Sequence, residues 1–469
     1  MQEYKEFADF SVKYATQSGC SYAEARLEQN TGGGYLLKNG NPEISGFDTT
    51  AGLGMRIIVN NTLGFVTLNE FNKEKIKDLI NKGIRITKAS SKLTNNVKLS
   101  PAEVHSKKYS VKQKLKVEDL DPAKKLKELI DLDKKLKDIQ YRYFSLSDEL
   151  VRKYFINSEG IKIESEIPRV NFFYYVTIKE GNEVTQHHWQ KGSVGGFEYF
   201  KKWNLGKELR QQVDNLKKIM KHGKKAPSGK MDLVVSSEIA GIMAHESVGH
   251  PCEADRIFGR EAAQAGESFV TKEMIGDKIG TEIVNVVDDP TLENSYGFYL
   301  YDDEGIPARR NYLIKEGRIH QFLHNRETAA AMNLSSNGAA RANNYNAEAI
   351  VRMSNTFFLP GDYKDEELFE GIKLGVYMKS FNEWNIDDIR LNQKYVGAEA
   401  YLIKNGRITE PIKNPILEIM TPKLYSSIDA VGKKVELHAA TCGKGEAPMQ
   451  GIPVFHGGPH LRIRNIIMR

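Results

Sequence analysis

Residues 236–252 read SSEIAGIMAHESVGHPC, and the reading of this stretch decides how the rest of the chain is to be arranged. Ile239, Ile242 and Met243 recur at helical spacing, with two serines just upstream as N-cap candidates. The predicted helix carries His245, Glu246 and His250. Residues five apart lie roughly 140° around and about 7.5 Å along an ideal α-helix. Two imidazoles gripping one tetrahedral zinc need their nitrogens within about 3.5 Å, given Zn–N near 2.1 Å. A regular helix cannot meet that demand. Gly249 and Pro251 supply a break, because glycine takes backbone angles other residues avoid and proline pushes the preceding residue out of the helical region. The expectation is therefore His245 and Glu246 on a last helical turn and His250 on a strand-like exit.

A His-Glu pair with a second His close behind resembles the metalloprotease pattern, in which the imidazoles hold zinc and the Glu handles the proton. An ordinary helix C-terminus, where His and Gly are common, accounts for the same letters. Two zinc-binding histidines still need a third protein ligand. Cys442, in the glycine-flanked TCGKG, is one candidate. His438, His456 and His460 in the same C-terminal stretch are others, as are Cys252 and Asp255, and residue chemistry alone leaves them open.

The totals bound the class. With 469 residues the chain has length for two domains, and 40% apolar with 27% charged residues suits a globular protein. No apolar run approaches the ~18 residues that span a bilayer. The start, MQEYKEFADF, lacks a signal-peptide layout. Three scattered cysteines make no disulfide framework, which fits a reducing cytoplasm. A net charge of +6 is mild for this size and does not point to nucleic acid.

Outward from the central stretch, the order of elements predicts an α+β protein without βαβ regularity. Helices are expected at 4–16, after Asn72, from Pro122 and at 205–221. Strand pairs turn at Asn39-Gly40 and Asn60-Asn61. Strands follow at 140–147, 153–157, 161–167 and 170–179, while the polar, basic residues 88–117 read as loop. The basic, Gly/Pro-containing KHGKKAPSGK reads as a solvated linker and sets a boundary near residue 225, with domains 1–224 and 225–469. Beyond it, strands are expected at 282–287 and 296–301, helices near 326–333, at 365–375 and near 422–431, and hairpins at Glu316-Gly317 and Asn405-Gly406. Cys442 falls in a predicted loop, and LRIRNIIM reads as a closing strand.

HESVGHP (245–251), DDEGIPARRNYLIKEGRI (302–319), RMSNTFFLPG (352–361), EAYLIKNGRI (399–408) and TCGKG (441–445) together resemble the TldD/PmbA family, specifically its TldD-type subunit. EARLEQNTGGGYLLKNG and NSEGI extend the resemblance to the N-terminal half. It implies an N-terminal α/β domain, a largely antiparallel β C-terminal domain carrying the HExxxH helix, and a cytoplasmic, dimeric metallopeptidase. Carried onto matching positions it makes His245, His250 and Cys442 the metal ligands and Glu246 the catalytic base. Zinc fits this donor set and iron also takes such ligands. Zinc with an open fourth position activates water near neutral pH, and Glu246 takes the proton. The implied substrate is a peptide or unfolded polypeptide; independently of the resemblance, Arg352 in VRMSNT and Arg341 in the Gly/Asn loop are candidates to bind its carboxylate, and the strand edges of the many hairpins are candidates to take it by strand addition. The partner is a second copy or a PmbA-type subunit, with no membrane and no direct nucleic-acid contact. A non-proteolytic modulator of DNA gyrase and a scaffold subunit are the other readings. Residues 380–387, SFNEWNID, depart from the family's glycine-rich pattern.

Overall fold

The computed structural model describes residues 1–43, 46–93, 96–260, 267–445 and 449–469. The first half is built on one long, mainly antiparallel sheet. In chain order its elements are α1 (Lys5–Gln17), β1 (Tyr22–Lys38), β2 (Asn41–Glu43), β3 (Phe47–Val59), β4 (Thr62–Leu68), α2 (Lys73–Ser90), β5 (Ser106–Ser110), α3 (Pro122–Lys134), β6 (Tyr141–Asn157), β7 (Lys162–Glu180), β8 (Glu183–Val194), α4 (Glu198–Lys202) and α5 (Leu205–His222). The spatial order is β4-β3-β1-β6-β7-β5, with β2 beside β1 and β8 beside β7. The asparagine turns form as their sequence predicts, with φ of +49° at Asn39 and +50° at Asn60.

The strands are longer than their local sequence suggests. β1 runs through Gly32, Gly33 and Gly34 because it is paired on both sides there, with Gly32 opposite Asp48 and Glu149. β7 absorbs Pro168, which sits just past the end of the β8 ladder at Arg169–Val194, so the missing N–H interrupts no bond on that side. Residues 88–117 are not all loop: Ser106–Ser110 adds as a parallel strand to β7.

Alternation along the strands sorts two faces. Ala23, Ala25, Leu27, Met55 and Ile57 lie under α1 and α2, while Leu37, Phe144, Phe172 and Val176 lie under α3 and α5. The opposite face is polar and yet buried, because the second half of the chain covers it. Arg56 bridges Glu24 at 2.7 Å and Glu304 at 2.5 Å, and Arg26 donates to Asn344 O at 2.9 Å and Ala347 O at 2.6 Å.

The linker's Lys224–Lys225 forms a short strand, β9, and β10 (Gly229–Val235) then enters a ten-stranded sheet beside Leu374–Met378 and Leu461–Met468. A six-stranded sheet runs in the order Arg318–Ile319, Asn311–Lys315, Val286–Asp288, Asn355–Phe358, Gln450–Gly458, Glu436–Lys444. β10 leads directly into α6 (Ser237–Ala244), which packs on three strands of that second sheet. The fold is α+β, as the sequence implied. Several local expectations need correction. Residues 365–375 form only a tight turn at Glu366–Phe369 before the strand Leu374–Met378, and the helix at Thr421–Ser426 gives way to the strand Ile428–Val431. Residues 296–301 are not a strand, and Cys442 lies on the strand Glu436–Lys444 rather than in a loop.

Candidate metal centre

α6 does not break before His250. It widens. The N–H of His250 donates to the carbonyl of His245, an i→i+5 bond, and Gly249 and His250 keep right-handed helical angles (φ −56° and −60°). Such a π turn stacks residues five apart, where an α-helix would splay them. The strand-like exit expected for His250 is thus overturned, and Gly249 and Pro251 act differently than the sequence suggested. A Cβ on Gly249 would lie 1.9 Å from Met353 Sδ, so glycine is there to let the turn sit against the neighbouring chain. Pro251 opens a following turn at His250–Cys252, where the first N–H groups have no partner to lose.

The widened turn brings the two imidazoles to a centroid distance of 4.9 Å at 84°. Cys442 reaches them from its strand, paired with Ile452, and its Sγ lies 3.6 Å from His250 Nε2. One ligand atom from each of His245, His250 and Cys442 falls within 4.8 Å of the others. A tetrahedral zinc with Zn–S near 2.3 Å and Zn–N near 2.1 Å sets S···N at about 3.6 Å. The donor set therefore fits a metal ion. The buried Nδ1 of His245, which has no hydrogen-bond partner among the described residues, belongs to the same picture.

Surrounding charges tune the donors. Burial pushes both imidazoles below their ordinary values, toward the neutral form that binds metal. Burial alone would raise the Cys442 thiol, but His250 and Arg352 outweigh it and bring it down to about 7. Glu253 accepts from His250 Nδ1 at 2.9 Å, and Arg256 Nε donates to it at 2.8 Å. Burial opposes ionisation of Glu253, yet Lys444, His250 and Arg256 hold its carboxyl well below the usual range. Lys444, itself fully buried, lies 3.2 Å from Glu253 and 2.7 Å from Asp255. Glu246 is buried beside the trio with Oε2 on Arg390 Nη1.

The rival ligands stay outside the trio. Asp255 is on Lys444. Burial pushes the Cys252 thiol up to about 12. His438 meets Ser237 Oγ at 2.9 Å, and His460 meets Tyr377 at 3.2 Å and Asp365 at 3.3 Å. His456 lies edge-on to His245 with rings 6.3 Å apart, its Nδ1 buried without a partner among the described residues, and stays outside the trio. Arg352, expected to grip a substrate carboxylate, is wholly buried. It donates instead to Cys442 O at 2.6 Å and Gln450 O at 2.8 Å, clamping the hairpin that carries Cys442. Arg341 donates to Met353 O and Pro453 O. It also lines a cavity of about 580 Å³ between the polar sheet face and that hairpin, whose lining includes Thr441 but none of the trio. Glu253, Lys444 and Arg390 were not singled out from the sequence. Glu253 had a signal, a carboxylate one helical turn after His250. Arg390 had none, since 140 positions separate it from the histidines.

Two histidines on a π turn and a cysteine from a facing strand form a buried cluster that could hold one metal ion, framed by two mainly antiparallel sheets. Profiles of three domains of one family match the chain: PmbA/TldA metallopeptidase domain 1 over residues 23–87, the central domain over 115–216 and the C-terminal domain over 228–468. The chain belongs to the PmbA/TldD metallopeptidase family. It is 34% identical to a metalloprotease of Methanocaldococcus jannaschii over 94% of this chain and 95% of that one. It is 26% identical to a zinc metalloprotease TldD homolog of Saccharolobus solfataricus over 97% and 98% respectively. TldE of Thermococcus kodakarensis shares the fold, with a TM-score of 0.75, 16% identity and coverage of 98% and 99%.

Proposed function

We propose that this protein is a metal-dependent peptidase that hydrolyses peptides or unfolded polypeptides, with zinc as the metal. One observation carries the reading: three side chains converge as ligands, and the next carboxylate, Glu246, is beside them and not among them. A closed structural site would need four protein ligands, whereas a catalytic one keeps a position open. Two neighbouring carboxylates are engaged, Glu253 on His250 and Asp255 on Lys444, and His456 stays outside the trio. The names of the Methanocaldococcus and Saccharolobus relatives agree with this.

Held by His245, His250 and Cys442, the ion would supply Lewis acidity and lower the pKa of water at its open position. The residues do the rest. Glu253 fixes the His250 tautomer so that Nε2 faces Cys442. Arg352 holds the Cys442 strand in register. Glu246 accepts the proton of the attacking water and passes it to the departing amine, so one water and one peptide bond become a carboxyl group and an amine. Buried surroundings exclude bulk water and strengthen each of these interactions.

The test is Glu246→Gln beside His245→Ala. Glu246→Gln is expected to keep the metal by elemental assay and to lose about 10²–10⁴-fold in hydrolysis of an unstructured peptide. His245→Ala is expected to lose both. Parent-level hydrolysis by Glu246→Gln, or parent activity surviving complete chelation, would end the proposal.

A further inference from the structure

Arg390 stands against Glu246 on a backbone that arginine seldom adopts. Its φ is +66°, in the left-handed region where few residues other than glycine and asparagine are at ease. The conformation is fixed by its surroundings. Arg390 N–H donates to Asp387 O at 3.0 Å, and its carbonyl accepts from Thr421 Oγ1 at 3.1 Å. On either side, Leu391 N–H donates to the Asp387 carboxylate and Phe269 N–H to Ile389 O, each at 2.7 Å. Backbone strain held this firmly clusters at binding and catalytic sites.

The side chain is 11% exposed and spends only Nη1, on Glu246. Nε is buried without a partner, and no described residue reaches Nη2. Nε and Nη2 form the side-on fork of a guanidinium, the edge that accepts a carboxylate through two parallel bonds. Buried donors of this kind are satisfied in the working state of a protein.

We infer that Arg390 binds the terminal carboxylate of the substrate, so that the protein removes the last residue of a peptide. This rests on the peptidase reading above and adds a substrate class to it. Spacing supports the terminal group. The carboxyl carbon of the residue after the scissile bond lies within about 4 Å of the scissile carbonyl carbon, given standard backbone bonds. A hydrogen bond of about 2.8 Å then reaches a guanidinium one carboxylate width from the reacting centre. Glu246 spans that interval, because the carboxylate that serves the attacking water also touches Nη1. A side-chain carboxylate on the same substrate residue lies at least one bond farther out. With the substrate on the side-on fork and Glu246 on Nη1, one guanidinium orients both substrate and base.

Two peptides that differ only in a free-acid or amidated C-terminus test this. Metal-loaded parent protein is expected to release the last residue of the free acid, by product mass, about 10–100-fold faster than it cleaves the amide. Arg390→Gln is expected to lose that preference through loss on the free acid. Calorimetry with the non-hydrolysing Glu246→Gln is expected to give about tenfold or tighter binding of the acid over the amide, abolished in Glu246→Gln/Arg390→Gln. Arg390→Lys keeps the charge without the fork and is expected to recover only part of the preference, which covers the case of a Gln variant that folds poorly. Equal internal cleavage of both peptides by parent and Arg390 variants overturns the inference and leaves the peptidase reading intact. A preference that follows an Asp or Glu side chain rather than the C-terminus also overturns it. No chelator-sensitive hydrolysis of either peptide removes both.

Discussion

Glu253 accepts the Nδ1 hydrogen of His250 at 2.9 Å, which leaves Nε2 of the same ring facing Cys442 Sγ at 3.6 Å. A carboxylate behind a ligand histidine fixes its tautomer and raises its basicity. Glu253→Gln keeps the size and an acceptor oxygen but removes the charge. Its zinc affinity, measured by competition with a chromophoric chelator, is expected to fall about 10–100-fold. Parent affinity in this variant would mean that Glu253 only balances Lys444 and Arg256.

Arg352 acts through the main chain on Cys442, the third of the proposed ligands. Its two donors bridge Cys442 O and Gln450 O across the hairpin, and it is fully buried. Arg352→Met retains bulk and leaves those carbonyls without their charged donors. Unfolding by denaturant is expected to show a loss of about 2–6 kcal/mol, since the two buried acceptors left unsatisfied cost about 1–3 kcal/mol each. Metal content after dialysis should fall with it. A variant as stable as the parent would show that the clamp contributes nothing.

How much of this was legible in the sequence depended on whether the cause was local. The hairpins at Glu316-Gly317 and Asn405-Gly406 were readable because the turn residues themselves require positive φ, found here at +50°, +72°, +47° and +75°. His245, Glu246 and His250 were readable as a cluster, and Cys442 followed from the family resemblance. The π turn was not, because the packing around it, with Met353 against Gly249, comes from more than one hundred positions away. The unbroken β1 was hidden for a similar reason. Glycine is a poor strand former, and what holds Gly32 and Gly33 extended is pairing with β3 on one side and β6 on the other, with Gly34 paired to β6. Glu24 and Arg26 are charged and yet buried, because the second half of the chain covers their face, which no local pattern of residues announces.

Glu238, in the first turn of α6, makes stability depend on pH at the junction of the two halves. It lines a small cavity with His187, Gln212, Lys379 and Glu399. Burial is the main cause that raises its carboxyl to about 8, with Glu399 adding to it and Lys379 and a backbone N–H opposing. A folded pKa above the unfolded one means that the favourable contribution is complete below the unfolded value of about 4.5 and is lost as pH rises through 8. Glu238→Gln cannot ionise. The melting temperature of Glu238→Gln minus that of the parent is expected to grow from pH 5 to pH 8 and then level off. A flat difference across that window would show that Glu238 is ionised in the folded protein.

Gly249 and Met353 together decide whether the π turn can exist. A Cβ at Gly249 would fall 1.9 Å from Met353 Sδ, a distance that side chains do not tolerate. Methionine is flexible and can yield, so the substitution should be survivable, yet the turn must shift to make room. Gly249→Ala is expected to lose about 1–3 kcal/mol of stability, as overpacked sites do. It is also expected to lose zinc affinity, because any return toward an α-helical turn separates His245 from His250. Trimming the opposing side chain relieves the clash. Gly249→Ala/Met353→Ala is therefore expected to recover zinc affinity relative to Gly249→Ala, even though Met353→Ala itself costs about 2–5 kcal/mol in a packed core. A double-mutant cycle on metal affinity isolates the coupling from general destabilisation. If Gly249→Ala binds zinc like the parent, or if the second substitution restores nothing, the contact with Met353 is not what shapes the turn.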